Sequence, residues 1–236
     1  MEKEWTPKTE LGRLVKEGKI KSIDEILDRG LRIQEPEIVD YLVPNLKVEM
    51  VLIGQGRGKF GSGQRRVFRV TKKVTREGRV PRFSAMAIVG NEDGYVGIGF
   101  AHGKETLIAK QKAIRKAKLN LIKIARGCGS WECKCGEPHS IPFEVRGKEG
   151  SVEVRLIPAP KGTGLVAEPE SQKLLKLAGI KDIYFWSRGQ TRQKFNTIYA
   201  VFQALKQLTK TKYKKDFEKF AGIVEGAIEG QGRKNE

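Results

Sequence analysis

No run in this chain approaches the roughly 18 consecutive apolar residues of a membrane-spanning helix, so no transmembrane segment is expected. Its opening, MEKEWTPKTE, lacks the apolar core of a signal sequence, and a secretory route is not expected either. Cysteine is scarce and odd in number. Three in 236 residues argue against a disulfide framework and leave the thiols free for other chemistry. The catalytic repertoire is thin as well. Residues Gly97 to Lys104, GIGFAHGK, carry the glycines and lysine of a phosphate loop but miss its spacing, and Glu105 stands where a magnesium-holding hydroxyl belongs. Gly97 and Gly99 read instead as strand positions crossed closely by a helix. His102 has no serine or cysteine partner that the sequence identifies and reads as a turn histidine; Glu49, Glu144 and Glu153 read as solvated strand positions. An enzyme is not expected.

What is present is positive charge. Lys and Arg number 46 against 28 Asp and Glu, a net +18 with a pI near 9.9. Such a balance costs self-repulsion unless a polyanion is the usual neighbour, so nucleic acid comes first and an anionic membrane surface second. The charges cluster in glycine-rich loops: Arg57, Lys59, Arg65, Arg66, Lys72, Lys73, Arg76, Arg79 and Arg82. Arginines there can bridge phosphate oxygens, and glycines let backbone amides approach them. Phe68 and Phe83 read as core residues, which leaves Phe60 as the aromatic placed to stack on an unpaired base.

The length allows one large domain or two small ones. Residues 1–45 read as a helical arm, with capping-box spacing at Ser22-Ile23-Asp24-Glu25 and a short helix between Pro36 and Pro44. Residues 46–126 read as strands followed by a covering helix. The expected order is a strand from Leu46, a basic loop, the polar strand RRVFRVTKKVT, a second basic loop REGRVPRF, and strands Phe83–Gly90 and Tyr95–Phe100 joined by the turn Asn91-Glu92-Asp93-Gly94. The helix is expected from about Glu105 to Ala125, with Leu107, Ile114, Ala117, Leu121 and Ile124 as its apolar stripe and Lys112, Arg115, Lys116 and Lys123 off it. Residues 127–140 form a connector that holds all the cysteines. In residues 141–208, strands Ile141–Val145 and Ser151–Ile157, a helix ended by Gly179, a strand at Asp182–Trp186 and a helix to Leu208 make a second small unit. Residues 209–236 read as a basic tail with a polar, disordered end. The pattern as a whole is α+β.

Within the connector, CGSWECKCGEPH, Cys128, Cys133, Cys135 and His139 fall within twelve residues, and Gly127, Gly129 and Gly136 allow the backbone to turn tightly. Three thiolates and an imidazole suit one soft tetrahedral ion, zinc above all, and four protein donors leave no open position for substrate. The plainer alternative is three reduced thiols in a buried loop. Lys161-Gly162-Thr163-Gly164 is either a cradle of amides and an ammonium for a phosphate or an ordinary turn.

Three segments carry a resemblance: FSAMAIVGNEDGYVGIGF with its lysine-rich helix, CGSWECKCGEPHSIPFEV, and GSVEVRLIPAPKGTGLVAEPESQKLLKLAGIKDIY. Over residues 46 to 208 the chain is similar to the small-subunit ribosomal protein S5 family in its archaeal form. The resemblance implies an amino-terminal domain like a double-stranded-RNA-binding fold, then a small α+β carboxy-terminal domain with a left-handed βαβ crossover. It implies binding to small-subunit rRNA, contacts with small-subunit proteins four and eight, a place along the mRNA entry path, and support of decoding accuracy, in the cytoplasmic ribosome. Carried over by position, the segment Lys72 to Arg82 matches a family loop that reaches into rRNA, and Lys161 to Gly164 its most recognisable turn. The expected RNA contacts are therefore the nine cations above with Lys112, Arg115, Lys116, Lys161, Gly162 and Thr163. No membrane and no small-molecule substrate is expected. The residues alone leave a free RNA-binding regulator, a phosphotransferase and a metal sensor as rivals.

Overall fold

A computed structural model describes residues 5–54, 65–133 and 135–227. Arg57, Lys59 and Phe60 lie outside the described residues.

The arm folds as three short helices, α1 (Glu10–Lys16), α2 (Ile23–Asp28) and α3 (Pro36–Leu42). Thr9 Oγ1 accepts from the Gly12 amide at 3.1 Å and Ser22 Oγ from the Asp24 amide at 3.1 Å, so each of the first two helices begins on a hydroxyl cap. Pro36 starts α3, where its missing N–H costs nothing. Val15, Ile20, Ile23, Ile26, Ile38 and Val39 pack as one cluster that also takes in Tyr95 and Leu121 of the following sheet. Glu35 is buried and ties the arm's entry: Trp5 Nε1 donates to it at 3.0 Å, and the Lys8 and Thr9 amides at 2.9 and 2.6 Å.

The first sheet holds β1 (Lys47–Met50), β2 (Arg69–Thr75), β3 (Gly78–Gly90) and β4 (Tyr95–Gly103), then α4 (Thr106–Leu119) and β5 (Leu121–Lys123). Its order is β1-β3-β4-β5, with β2 pairing β3. Two expectations change here. Of the segment 76–83 only Arg76-Glu77 is a turn; residues 78–83 are strand and not loop, because β2 and β3 pair through to Thr75 opposite Gly78. The α4 helix stops at Leu119, not Ala125; Asn120 turns the chain, its Nδ2 donates to Ile98 O at 3.2 Å, and Leu121–Lys123 pairs with the edge of β4. The stripe also differs. Leu107 is exposed, and the buried face is Ala109, Ala113 and Ala117.

That alanine face follows from the strand beneath it. A Cβ built at Gly103 would lie 2.8 Å from the Ala109 amide, and Cβ atoms at Gly99 and Gly97 would collide with the backbone at Ala113 and Ala117. Helix and strand touch backbone to backbone, as the glycine spacing suggests, and side chains of leucine size do not fit between them.

After β6 (Ala125–Arg126) and the connector, the second sheet comprises β7 (Val145–Glu149), β8 (Val152–Pro158), β9 (Leu165–Val166) and β10 (Ile183–Arg188), in the order β7-β8-β10-β9. β7 begins where the sequence expectation has it end, because Gly127 and Ser140 bridge and hold residues 140–142 in the connector. Only β9 and β10 run parallel in this sheet, joined through α5 (Pro169–Leu177). α6 (Lys194–Leu208) covers β7 and β8, and a Cβ at Gly147 would lie 2.6 Å from the Ala204 amide. Gly179, at φ +82, ends α5 with the paired bonds Ile180 N to Leu175 O and Gly179 N to Lys176 O. The 91–94 turn completes that end: Glu92 N and Gly94 N donate to Leu177 O and Ala178 O at 2.9 and 3.2 Å. Met86, Ile88, Val96 and Ile98 of the first sheet and Leu174, Leu177, Val201 and Leu205 of the second unit belong to one buried cluster.

The basic tail has a weakly apolar patch at Ile223 and Val224, and regular structure forms around it. α7 (Lys215–Ala221) is followed by Gly222 at φ +55 and by β11 (Val224–Glu225), antiparallel to β6. Residues 228–236, where disorder was expected, lie outside the described residues.

Two outcomes check this architecture. Gly99→Ala and Gly147→Ala each lower unfolding free energy by about 3 kcal/mol or more in urea melts. Gly162→Ala, at φ +93 but with open space around it, costs only about 1–2 kcal/mol; equal losses at all three would discard the close-approach account. The Glu35 carboxyl is raised by burial, but bonds from Thr9, Lys8 and Trp5 outweigh this and hold it below its ordinary value. Its contribution is therefore complete above the unfolded-chain pKa of 4.5 and lost as pH falls through the lower folded value. Trp5 fluorescence in a Trp131→Phe/Trp186→Phe chain should report arm release on that acid limb, and Glu35→Gln should flatten it.

Candidate metal centre and nucleic-acid interface

The connector crosses itself at Gly127 and Gly129. A Cβ at Gly129 would run into Pro142 O, so the chain from Gly127 to Ser130 can lie against residues 140–142 only with glycine there. The crossing brings the four candidate ligands together: one donor atom from each of Cys128, Cys133, Cys135 and His139 lies within 4.8 Å of all the others. Sulfurs around a tetrahedral zinc at about 2.3 Å stand about 3.8 Å apart, so the set needs only a small contraction to close on an ion. Cys133 Sγ is 3.9 Å from His139 Nε2. Cys128 is buried and Cys135 exposed.

Hydrogen bonding prepares the donors. His139 Nδ1 sits 2.9 Å from Asp182 Oδ2, a carboxylate that can only accept, which places the proton on Nδ1 and turns the Nε2 lone pair toward the thiols. The backbone N–H groups of Lys161 and Cys135 lower the Cys133 thiol to about 6, whereas burial pushes Cys128 up to about 11. The donor set and its tautomer fit a soft cation, and four protein ligands leave it no open position.

Asp182 reaches further. Its Oδ1 accepts from the Gly162 and Gly164 amides at 3.0 and 2.8 Å. The Lys161–Gly164 turn is therefore a filled cradle: its inward amides hold a carboxylate of the protein itself, not a phosphate, and Lys161 Nζ pairs with Glu137 at 2.6 Å. Sequence reasoning missed Asp182, which stands 43 residues from His139 with no motif to join them. α7 backs the same knot, with Cys128 N donating to Ala221 O at 2.7 Å. Trp131, at the tip, is 87% exposed.

Five of the expected basic contacts lie on the β2–β3 hairpin. Every residue from Thr71 to Arg82 is exposed, Val74 and Val80 included, so this ribbon carries Lys72, Lys73, Arg76, Arg79 and Arg82 beyond the body of the sheet. Arg65 Nη2 donates to Arg192 O at 2.9 Å, and Arg66 pairs through its backbone with Gly54. Lys112, Arg115 and Lys116 are exposed on α4, away from its alanine face. His102 is in strand β4, not a turn, and its Nδ1 meets Ser84 Oγ at 2.7 Å. Burial lowers its pKa first and the cations Arg82 and Lys116 next, so the hairpin root and α4 share one electropositive neighbourhood.

Two family models match the chain: "Ribosomal protein S5, N-terminal domain" over residues 65–125 and "Ribosomal protein S5, C-terminal domain" over residues 147–217. Among curated proteins, one from Nanoarchaeum equitans is 55% identical over 225 residues, 95% of this chain and 96% of the relative. One from Hyperthermus butylicus is 50% identical over 211 residues, 89% and 92%. One from Aeropyrum pernix is 52% identical over 202 residues, 86% of each. All three are named small ribosomal subunit protein uS5.

Proposed function

The chain belongs to the ribosomal protein S5 family, a structural and non-enzymatic family, and from that premise we propose that it is a building component of the small ribosomal subunit that binds small-subunit rRNA. The observation that carries the reading is the β2–β3 ribbon, exposed at every position from Thr71 to Arg82 and loaded with cations that no core requires. A two-stranded arm of that shape supplies phosphate contacts, and helical RNA is held by shape and 2′-hydroxyls in preference to base edges. The proposed interface comprises Arg57, Lys59, Arg65, Arg66, Lys72, Lys73, Arg76, Arg79 and Arg82, with Lys112, Arg115 and Lys116 beside the hairpin root. Lys161, Gly162 and Thr163 join it as a turn whose shape Asp182 holds, through outward atoms only. Proteins four and eight of the small subunit as neighbours, a place along the mRNA entry path, support of decoding accuracy and a cytoplasmic site in the ribosome complete the reading.

Zinc belongs to the same proposal as a structural ion. Held by Cys128, Cys133, Cys135 and His139, it cross-links the connector where the Lys161–Gly164 turn, Asp182 and α7 converge.

Binding of the isolated protein to an rRNA fragment should weaken by about three to five orders of magnitude from about 50 to 200 mM salt, as expected for about eight neutralised phosphates. Changing Lys72, Lys73, Arg76 and Arg79 to Gln should cut the log–log salt slope by about 3–4. A flat salt response, or an unchanged slope in that variant, would refute the interface. For the metal, Asp182→Asn keeps an oxygen for the two glycine amides but removes the acceptor facing His139 Nδ1. Zinc affinity, read by competition with a chromophoric chelator, should fall about 10- to 100-fold.

A further inference from the structure

The second sheet has a face that the proposed interface does not use. α6 covers the side lined by Val145, Gly147, Val152, Val154 and Leu156. On the opposite side three cross-strand rows are fixed by register. One is Arg146–Arg155–Trp186, the next Lys148–Glu153–Arg188, and the third Ile157–Tyr184–Val166. Trp186 is 40% exposed, Tyr184 39% and Val166 50%. The three rows hold four cations and one carboxylate; Lys148 takes that carboxylate, Glu153, at 3.0 Å, and Arg146 donates to Glu144 beside the rows at 3.0 Å, which leaves Arg155 and Arg188 as the cations without an ion pair of their own among the described residues. Arg155 lies over the Trp186 ring, 4.5 Å from its centroid, so the guanidinium and the indole already form one stacked unit.

We propose that this face is a platform for single-stranded RNA: an unpaired extension of the same RNA whose helical part the β2–β3 ribbon holds. Bases stack on Trp186 and Tyr184, and Arg155 and Arg188 take the phosphates between them. Three observations select that occupant. Exposed aromatic rings interleaved with arginines match a chain that presents flat bases and anions alternately, whereas duplex RNA keeps its bases stacked inside and would leave both rings idle. A protein partner would need to bring matching acidic groups among its apolar ones to neutralise Arg155 and Arg188. The platform is also continuous with the proposed interface: the bond from Arg65 to Arg192 O joins the basic segment before β2 to the loop that follows Arg188.

The inference deepens the RNA-binding reading and rests on it for the helical half of the ligand, so the test separates the two. A chain with Trp5→Phe and Trp131→Phe leaves Trp186 as the only tryptophan. It is titrated with a blunt RNA duplex of about 16 base pairs, with the same duplex bearing an overhang of about six nucleotides, and with the overhang strand alone. The overhang should tighten binding between about fivefold and a hundredfold per stacked base and quench Trp186, while the blunt duplex binds without quenching. In the parent chain, Trp186→Ala with Tyr184→Ala should abolish the gain and leave blunt-duplex affinity unchanged. Arg155→Gln, which keeps the aromatic pair, should lose part of the gain and serves if the double variant melts early. Equal affinity for blunt and overhanging duplexes, or a gain that survives these changes, overturns the platform. Failure of the blunt duplex alone overturns the helical reading, and quenching by the single strand then still decides the platform. An acidic-apolar peptide that quenches Trp186 where RNA does not would assign the face to a protein and overturn the proposal.

Discussion

Backbone-to-backbone contact between a helix and a strand recurs in both halves of this protein, and the rest of the fold is arranged around it. Gly97, Gly99 and Gly103 on β4 admit Ala109, Ala113 and Ala117 of α4, and Gly147 on β7 admits Ala200 and Ala204 of α6. An α-helix at this separation offers little apolar surface of its own. It shields its sheet from water without filling the space with side chains, so the larger residues are left for the opposite face. Met86, Ile88, Val96 and Ile98 accordingly point away from α4 into the cluster shared with α5 and α6. The close approach on one side of the first sheet thus determines where the two halves meet.

Their meeting is itself a backbone affair. The 91–94 turn donates to the last carbonyls of α5, and a Cβ at Gly90 or Gly179 would strike the other partner's main chain. Such contacts are short and directional, so they hold the first sheet in one orientation relative to the second. The Cys–His cluster extends this order to the polar side of the molecule. Asp182 bonds His139 with one oxygen and the Gly162 and Gly164 amides with the other, linking three loops through a single carboxylate. Arg126 plays a similar part for the tail, reaching Asp93 at 2.5 Å and Gly226 O at 3.0 Å from a buried position.

Features set by neighbours in the chain were legible in the sequence. The Asn91–Gly94 turn, the proline-bounded α3, the Gly179 cap, the tight crossing at Gly97 and Gly99 and the clustering of the thiols with His139 all follow from residue type and spacing. Features decided by distant partners were not. Leu-Ile-Lys-Ile-Ala after Asn120 has the composition to prolong a helix, yet pairing with β4 takes it. The β2–β3 ribbon buries neither face near its tip, so the period-two signal that marks a strand is missing there. The phosphate reading of Lys161–Gly164 was chemically sound about the amides and silent about the carboxylate that occupies them. Asp182 gives no local sign of its role.

The pairing of β6 with β11 joins Arg126 to Val224, nearly a hundred residues further along the chain. A ribosome adds about 5–20 residues each second, so during translation β6 waits on the order of 5–20 s without the strand it pairs with. Over the same interval Cys128 lacks the Ala221 carbonyl that its amide meets in the finished fold. The connector thus emerges as an incomplete pocket of reduced thiols, and it is closed from behind only by residues translated long after it.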